Sequence, residues 1–344
     1  MTNPNVSLLL DDCIGHEAAR RILALSQEPA ELAGCQPGLA TRLEISQAMN
    51  LALFHQLVQS VESARAYVGD VERSGAKVLL DHGAIRTVRW ACSGMLPAGE
   101  AAFTRFLRPL GFVFGREYPL TRLKMTGRAY YHQDAPESVG QFFISELHPE
   151  RFSPEFQAAV TRVVGESTDP LTPAAQAALW ELERDGALPL LAASALVRVL
   201  VSCFSRQHVL PTRSDYLLLA SESDEMAWIS TEGNTFNHAT DRVDDVESTA
   251  EAQRKLGRHI KDKVEISRSG RVLQTAFHAD IVERDLMAED GSTVRMSVPG
   301  SFYEFITRQP YLDKTSGRWR TDLSFDAGNA QQIFKMTSVP AVAA

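Results

Sequence analysis

Cysteine is scarce in this chain. Four of its 344 residues are cysteine, they are widely separated, and no two form a Cys-x-x-Cys pair; they are Cys13, Cys35, Cys92 and Cys203. Disulfide frameworks and zinc ribbons need closely spaced cysteines, so neither is predicted. The thiols are expected to be reduced and mostly buried, since free cysteine behaves as a small apolar side chain.

Long apolar runs are also lacking. No stretch approaches the roughly 20 apolar residues that a membrane-spanning helix requires. The most apolar segment, residues 188–204, contains Arg198 and small residues, which predicts a buried helix. An apolar run at residues 6–10 ends at Asp11 and Asp12 and no basic segment precedes it, so no signal peptide is predicted. No membrane partner is expected, and the predicted location is the cytoplasm.

An excess of positive charge is absent as well. The chain has 35 basic and 43 acidic residues and a formal net charge of −8, which disfavours nucleic acid because phosphate contacts need a basic surface. No Gly-x-Gly-x-x-Gly motif or P-loop occurs, so nucleotide binding has no support, and no Gly-x-Ser-x-Gly nucleophile elbow occurs. The apolar share of 44% and the charged share of 23% are ordinary for a globular protein.

Apolar periodicity divides the first part of the chain into three segments. Residues 1–76 are predicted to be helical, with a helix over residues 17–26 and a long pattern over residues 40–72 that is expected to break. Residues 77–148 have the pattern strand, helix, strand, strand, strand, which is a βαβββ unit. Residues 149–212 are predicted to be a helical insertion.

Residues 213–344 return to mixed structure. A short strand is predicted at residues 216–219, a tight hairpin turn at Asp290-Gly291, and a strand at residues 300–308. This half can be a degenerate second copy of the βαβββ unit. The predicted fold class is therefore α+β, with a helical amino-terminal segment and a helical insertion.

Residues 79–90 contain the first candidate site. His82 and Arg86 are four residues apart, and on an extended strand an even separation places two side chains on one face. The pair is suited to a metal ligand and a carboxylate-binding guanidinium. Candidate partners for His82 are His238 and Glu304. Two histidines and one carboxylate are the ligand set of non-haem Fe(II) oxygenases, which leaves coordination positions open.

These residues can also have structural roles, and other residues are candidate metal ligands. His82 and His238 can bond backbone or cap loops, Glu304 can lie on an exposed edge strand, and Arg86 can form a surface ion pair. The best rival ligands are His278 and Asp280, which share a strand face; further candidates are His132, Glu146 and His148. Asp81 is expected to support His82 or to cap a turn.

Four segments resemble a known family. They are Asp81-His-Gly-Ala-Ile-Arg-Thr-Val, residues 142–150, Gly233-Asn-Thr-Phe-Asn-His and Tyr303-Glu-Phe. Together they are similar to the 2-oxoadipate dioxygenase/decarboxylase family, also called 2-hydroxyglutarate synthase, and the resemblance covers residues from about 40 to 335. It implies a vicinal-oxygen-chelate-like fold, in which βαβββ units form a curved mixed sheet around a metal site.

The resemblance also implies roles for particular residues. It implies that His82, His238 and Glu304 hold Fe(II) and that Arg86 binds a substrate carboxylate. Near the carboxyl terminus, Gly328 and Asn329 match backbone contacts to the substrate, although both differ from the side chains expected there.

The implied reaction converts 2-oxoadipate and dioxygen to 2-hydroxyglutarate and CO2 in lysine catabolism. No separate co-substrate takes part, so both oxygen atoms enter one product. Two alternatives remain at this point: a metal-dependent isomerase or lyase on the same fold, and a non-catalytic small-molecule-binding protein. The sequence makes no prediction of the oligomeric state.

Overall fold

The computed structural model describes residues 3–34, 36–328 and 334–337. Its helices are α1 (Pro4–Ile14), α2 (His16–Leu25), α3 (Arg42–Ser60), α4 (Glu62–Ser74), α5 (Ala101–Leu107), α6 (Pro154–Val164), α7 (Pro173–Asp185), α8 (Leu190–Ser202), α9 (Arg213–Glu222), α10 (Asp224–Glu232) and α11 (Val246–Lys255). In these residues, no helix combines the length and the apolar composition that crossing a bilayer would need.

The strands of the described residues are mostly short. They are β1 (Leu39–Thr41), β2 (Leu80–Val88), β3 (Phe112–Leu120), β4 (Met125–His132), β5 (Gln141–Leu147), β6 (Ala187–Pro189), β7 (Phe236–Arg242), β8 (Glu265–Ile266), β9 (Val272–Ala276), β10 (Ile281–Met287), β11 (Thr293–Pro299), β12 (Phe302–Arg308), β13 (Pro310–Asp313) and β14 (Arg318–Thr321).

Eight strands form one mixed sheet in the order β3-β4-β5-β2-β7-β12-β9-β8. In the first half β2 pairs parallel with β5, β5 pairs antiparallel with β4, and β4 pairs antiparallel with β3. The second half repeats this pattern: β7 pairs parallel with β12, β12 pairs antiparallel with β9, and β9 pairs antiparallel with β8. The halves join where β2 pairs antiparallel with β7. The predicted α+β class and the repeated βαβββ unit are therefore confirmed.

The second unit carries one addition. Strands β10 and β11 form a separate hairpin between β9 and β12, and its turn contains the predicted Asp290-Gly291. Gly291 has φ +81°, a backbone conformation that glycine adopts without steric cost. The hairpin prediction is therefore confirmed.

Side-chain caps begin several of the helices, including α3 and α9. The long helical pattern breaks at Val61, between α3 and α4, and α3 begins with a capping box in which Thr41 and Glu44 each bind the other's backbone N–H. The strand predicted at residues 216–219 is wrong, because these residues lie inside α9. Thr212 caps that helix by accepting a hydrogen bond from the backbone N–H of Asp215.

The amino-terminal helices and the helical insertion pack together. Strand β1 pairs with β6, and both α1 and α3 contact α8. The main apolar core contains residues of these helices and of the sheet face that they cover. The division of the chain at residues 76, 148 and 212 stays a prediction.

Strand β12 shows how the two faces of the sheet differ. Tyr303 and Phe305 point into the main core, where the ring of Phe305 meets Tyr67 of α4 edge-on at 4.7 Å between centroids. Phe302 lies on the other face, where its ring stacks on His238 at 4.7 Å. Glu304 shares that second face, as the strand alternation predicts.

Asp241 is a buried acid on the helix-covered face. Its carboxylate accepts hydrogen bonds from the Tyr67 hydroxyl at 2.7 Å and from the backbone N–H of Leu79 at 3.1 Å. Burial raises the pKa of Asp241 to about 7; these two hydrogen bonds lower the pKa, and the charge of Asp81 raises it. The carboxyl group is therefore largely protonated below neutral pH.

This acid predicts a pH-dependent stability difference for Asp241→Asn. An unfolded aspartate titrates near pH ~4, so between about pH 4 and 7 the folded state binds more protons and the contribution of Asp241 to stability falls as pH rises. The stability of the neutral variant relative to the wild type should therefore be greater at about pH 8 than near pH 5, by on the order of 3 kcal/mol. Urea unfolding at both pH values measures this. The exposed Asp244→Asn is the control, and an equal difference at the two pH values would contradict the account.

Candidate metal centre

Three neighbouring strands bring two histidines and a glutamate together. His82 lies on β2, His238 on β7 and Glu304 on β12, and all three are buried. Their candidate ligand atoms all lie within 4.8 Å of one another. Oε2 of Glu304 is 3.2 Å from Nε2 of His82 and 3.3 Å from Nε2 of His238. Imidazole nitrogens and a carboxylate suit divalent first-row metals, so this donor set fits a metal ion.

A β-bulge precedes each histidine. Where β2 pairs with β7, Asp81 is the extra residue before His82, and Asn237 is the extra residue before His238. A bulge interrupts strict alternation and re-aims side chains. As a result, Oδ1 of Asp81 lies 2.8 Å from Nδ1 of His82. Oδ1 of Asn237 lies 3.1 Å from Nδ1 of His238. With Nδ1 facing these oxygens, each ring directs its Nε2 atom to the cluster.

Glu304 is held as a carboxylate. Its Oε2 accepts a hydrogen bond from the Thr240 hydroxyl at 2.5 Å, and its Oε1 accepts one from Nε2 of Gln274 at 3.1 Å. Burial alone would raise the pKa of Glu304, but the hydrogen bonds and charges of His238 and His82 hold it well below its usual range. An ionised glutamate can bind a cation.

The two halves of the sheet differ at one equivalent position. Glu304 lies on β12 two residues beyond the partner of His238, and Phe143 lies on β5 two residues beyond the partner of His82. Both side chains line the same cavity. The position equivalent to Glu304 is thus occupied by an apolar ring in the first half of the sheet. A metal held by the three candidate ligands would keep coordination positions open for small molecules.

A small cavity of about 20 Å³ lies against these residues. This volume accommodates about one water molecule. Besides the three candidate ligands, its lining comprises Ala84, Ile85, Arg86, Phe143, Ser145, Asn237, Gln274, Phe325 and Asp326.

Arg86 shares this cavity with His82, as the strand periodicity predicts. The guanidinium is buried, with its central carbon 5.0 Å from the Trp228 ring centroid, and Nη2 donates to the Thr337 hydroxyl at 2.8 Å. Burial lowers the pKa of Arg86 to about 10, while the charge of Glu225 raises it. The side chain is therefore charged at neutral pH and can bind a carboxylate.

Gly83 does not break the strand between these two residues. The backbone of β2 is continuous from Leu80 to Val88. A Cβ at Gly83 would lie 2.3 Å from the Phe236 ring, so glycine is needed for close packing against β7.

The rival ligand residues have other roles. His278 is exposed, and the Asp280 carboxylate accepts hydrogen bonds from the backbone N–H and the hydroxyl of Ser63. His132 is 2.8 Å from the Leu110 carbonyl. In the described part of the chain, the triad on β2, β7 and β12 is the one metal-type cluster.

Two further candidates also have structural contacts. Nε2 of His148 lies 2.8 Å from the Thr126 hydroxyl. Glu146 accepts a hydrogen bond from the backbone N–H of Glu100 at 2.9 Å. Both residues therefore have structural roles in the fold.

Of the two residues predicted to contact the substrate near the carboxyl terminus, the structure describes Gly328. Gly328 is exposed, and its N–H donates to Asp326 at 2.8 Å. Asn329 lies outside the described residues. The substrate contact assigned to both stays a prediction. Cys35 also lies outside the described residues, while Cys13, Cys92 and Cys203 are free thiols.

The support of Asp81 by two arginines was not predicted. Nε of Arg242 donates to Asp81 at 2.6 Å, and Nε and Nη2 of Arg308 donate to its two oxygens at 2.8 Å each. Burial alone would raise the pKa of Asp81, but the charges of Arg308 and Arg242 and the hydrogen bonds of His82 and Arg308 hold it well below its usual range.

A repeated sequence pattern could have revealed part of this arrangement. Each half of the sheet has an acceptor residue, then the histidine, then an arginine four residues after it. Asp81-His82 with Arg86 matches Asn237-His238 with Arg242. The arginines differ in role, because the first lines the cavity and the second binds Asp81.

Comparisons with known proteins identify the family of this chain. A sequence model described as 2-oxoadipate dioxygenase/decarboxylase matches residues 42–335. The chloroplastic/amyloplastic 2-oxoadipate dioxygenase/decarboxylase of Oryza sativa subsp. japonica is 23% identical over 306 residues, covering 81% of this chain and 72% of the relative.

Two solved structures are similar. A protein of Ralstonia eutropha JMP134 assigned to the glyoxalase superfamily is 54% identical, with a TM-score of 0.91 and coverage of 95% of this chain and 100% of that one. Hydroxyglutarate synthase of Oryza sativa, solved with 2-oxoadipate, is 19% identical, with a TM-score of 0.63 and coverage of 89% and 97%. The predicted vicinal-oxygen-chelate-like fold is confirmed. This chain belongs to the 2-oxoadipate dioxygenase/decarboxylase family.

Proposed function

We propose that this protein is an Fe(II)-dependent dioxygenase that converts 2-oxoadipate and dioxygen to 2-hydroxyglutarate and CO2, and that it acts in lysine catabolism. The observation that carries the proposal is that the three candidate ligands and Arg86 line one cavity. A 2-oxo diacid needs both features, because its keto acid end can chelate a metal while its distal carboxylate needs a cation.

His82, His238 and Glu304 would hold the metal. Their donor set is that of non-haem Fe(II) oxygenases, and the apolar ring of Phe143 at the position equivalent to Glu304 supports a site that stays open. Bound there, Fe(II) would supply coordination positions for the keto acid and for dioxygen, together with the redox chemistry that joins them.

The remaining residues would orient the substrate. Arg86 would hold the distal carboxylate through paired hydrogen bonds. Its guanidinium is buried beside Trp228. Water weakens the attraction between a guanidinium and a carboxylate only slightly at such a position. The rings of Phe143 and Phe325 line the cavity and would exclude water from the reacting end of the substrate.

The test is a complete mass balance. Metal-free protein is loaded with Fe(II) without oxygen, then mixed with 2-oxoadipate and air, while oxygen uptake, CO2 and 2-hydroxyglutarate are measured. Equal amounts of all three are expected, and protein loaded with Zn²⁺ should give none because zinc has no redox chemistry.

The alternatives give different results. Turnover of another 2-oxo acid alone, with oxygen uptake, would overturn the substrate assignment. Conversion without oxygen uptake would instead indicate an isomerase or lyase. Failure to retain iron after anaerobic loading would contradict the metal site and favour a non-catalytic binding protein.

A further inference from the structure

Arg308 contacts two parts of the protein that meet at the candidate site. It lies on β12 and its side chain has 0% exposure. On one side, Nε and Nη2 donate to the two oxygens of Asp81. On the other, Nη1 donates at 2.8 Å to the backbone carbonyls of Asp322 and Ser324. The guanidinium thus binds the carboxylate beside His82 and the chain that follows β14 at once.

The Asp81 side of this contact sets the orientation of His82. Oδ1 of Asp81 is 2.8 Å from Nδ1 of the imidazole and also accepts a hydrogen bond from Nη2 of Arg308. Such an acceptor fixes the tautomer and the ring direction of a metal-binding histidine. A shift of Asp81 would therefore turn Nε2 of His82 relative to Glu304.

The other side of the contact anchors residues 322–326, which we call the covering segment. Its Phe325 ring meets the His82 ring edge-on at 4.8 Å and lies 5.0 Å from the Phe143 ring. The Phe325 N–H donates to the Tyr118 hydroxyl at 3.0 Å. Arg308 itself lies over Phe325, with its central carbon 5.0 Å from the ring centroid.

The covering segment lines the cavity beside the three candidate ligands through Phe325 and Asp326. With Phe325 in place the cavity measures about 20 Å³, enough for about one water molecule and far too small for a six-carbon diacid. Displacement of the Phe325 ring, which lines the cavity, would enlarge it for such a substrate. Its movement would disturb the carbonyls that Arg308 binds, and a buried guanidinium that loses acceptors is unfavourable, so its contact with Asp81 would change as well.

We propose that Arg308 is a positioning residue that couples closure of the covering segment to the alignment of the metal ligand His82. The inference rests on the metal site of the proposed function, and it goes further by assigning Arg308 and Phe325 to one linked motion. Closure of the segment would then align the ligand, and opening of the segment would release it.

The chain offers a matched control. Arg242 holds the same Asp81 carboxylate at 2.6 Å, but its other described hydrogen bond goes to the Glu137 carbonyl rather than to the covering segment. Arg308→Lys and Arg242→Lys therefore both weaken the support of Asp81. Only the first removes the paired carbonyl contacts of the covering segment.

The experiment uses Co²⁺ alone as the probe and measures two quantities. Visible absorption during titration of the full metal-free chain gives the Co²⁺ affinity, and hydrogen exchange of amides 322–326 gives the opening of the covering segment. Both arginine variants should bind Co²⁺ roughly 10-fold more weakly. Arg308→Lys should also speed exchange of the covering segment by about 10-fold, whereas Arg242→Lys should leave it near the wild-type rate.

The effect of Co²⁺ on hydrogen exchange of the covering segment decides whether the two parts are coupled. If the two parts are coupled, Co²⁺ must slow exchange of the covering segment in the wild type, and this protection must be lost in Arg308→Lys. Phe325→Ala, which leaves Arg308 and Asp81 intact, should weaken Co²⁺ binding by several-fold. Thermal unfolding of each variant checks that it is folded.

The outcomes separate this inference from the proposed function. Equal protection by Co²⁺ in wild type and Arg308→Lys would overturn the coupling, even if the enzyme turns over 2-oxoadipate. Coupled protection in a protein that does not turn over 2-oxoadipate would uphold the inference and reject the proposed substrate.

Discussion

His82→Ala is expected to abolish oxygen-dependent turnover of 2-oxoadipate, by at least ~10³-fold, and to lower retained iron below about a tenth of an equivalent. The substitution removes one of three ligand groups whose atoms lie within 4.8 Å of one another. The two remaining ligands cannot complete a facial set on one side of the ion. Metal content of the purified, anaerobically reconstituted variant and its oxygen uptake measure the two losses.

His132 supplies the control for this prediction. It is as deeply buried as His82 and lies on β4 of the same sheet, but its Nε2 lies 2.8 Å from the Leu110 carbonyl. His132→Ala should lower stability by roughly 1–3 kcal/mol, because a buried hydrogen bond and apolar contacts are lost. It should still bind iron. Equal iron retention in the two variants would show that His82 is not a ligand.

The hydrogen bonds of Asp81 with two arginines should keep His82→Ala folded. The carboxylate keeps its hydrogen bonds from Arg242 and Arg308 when the imidazole is removed. The buried charge therefore stays compensated, and the fold is expected to persist. Loss of metal with an unfolding midpoint close to that of metal-free wild type would locate the effect in the site.

Arg86→Met is expected to lower kcat/KM for 2-oxoadipate by roughly 10²–10³-fold, because the distal carboxylate would lose a buried charged partner. The effect should be much smaller, within about threefold, for 2-oxohexanoate, which has a methyl group where 2-oxoadipate has its distal carboxylate. The ratio of the two kcat/KM values therefore reports the carboxylate contact itself. Methionine keeps an apolar side chain beside Trp228, which limits damage to the packing.

Arg89→Met is the matched control for this second prediction. Arg89 lies three residues further along, its side chain is 61% exposed, and its ion pair with Glu146 spans 4.0 Å. Such a pair contributes little, so the ratio between the two substrates should stay at the wild-type value. If Arg86→Met slows both substrates equally, Arg86 supports the fold or the metal site and does not bind the distal carboxylate.

Several features of the site follow from local sequence rules. The alternation of a strand places His82 with Arg86, and it places Glu304 on the face of Phe302. A carboxylate among apolar residues signals a partner, since burying it alone is unfavourable. Local rules also predict the hairpin at Asp290-Gly291, where the turn residues decide the structure.

Other features depend on contacts between distant segments. The Asp81 carboxylate is bound by arginines 161 and 227 residues away, and no local pattern specifies those pairs. The bulges at Asp81 and Asn237 arise from the pairing of β2 with β7, so strand alternation alone places these residues on the wrong face. The strand predicted at residues 216–219 failed because the cap at Thr212 outweighs a short apolar run.

The most direct test of the proposed reaction follows the oxygen atoms. Iron-loaded protein is given 2-oxoadipate under ¹⁸O-labelled dioxygen, and the products are examined by mass spectrometry. Decarboxylation joined to hydroxylation of the same chain predicts 2-hydroxyglutarate carrying both labelled atoms, one in its new hydroxyl and one in its new carboxylate, with unlabelled CO2. A 2-hydroxyglutarate product without label would contradict the dioxygenase reaction and, with it, the proposed role of the His82, His238 and Glu304 site.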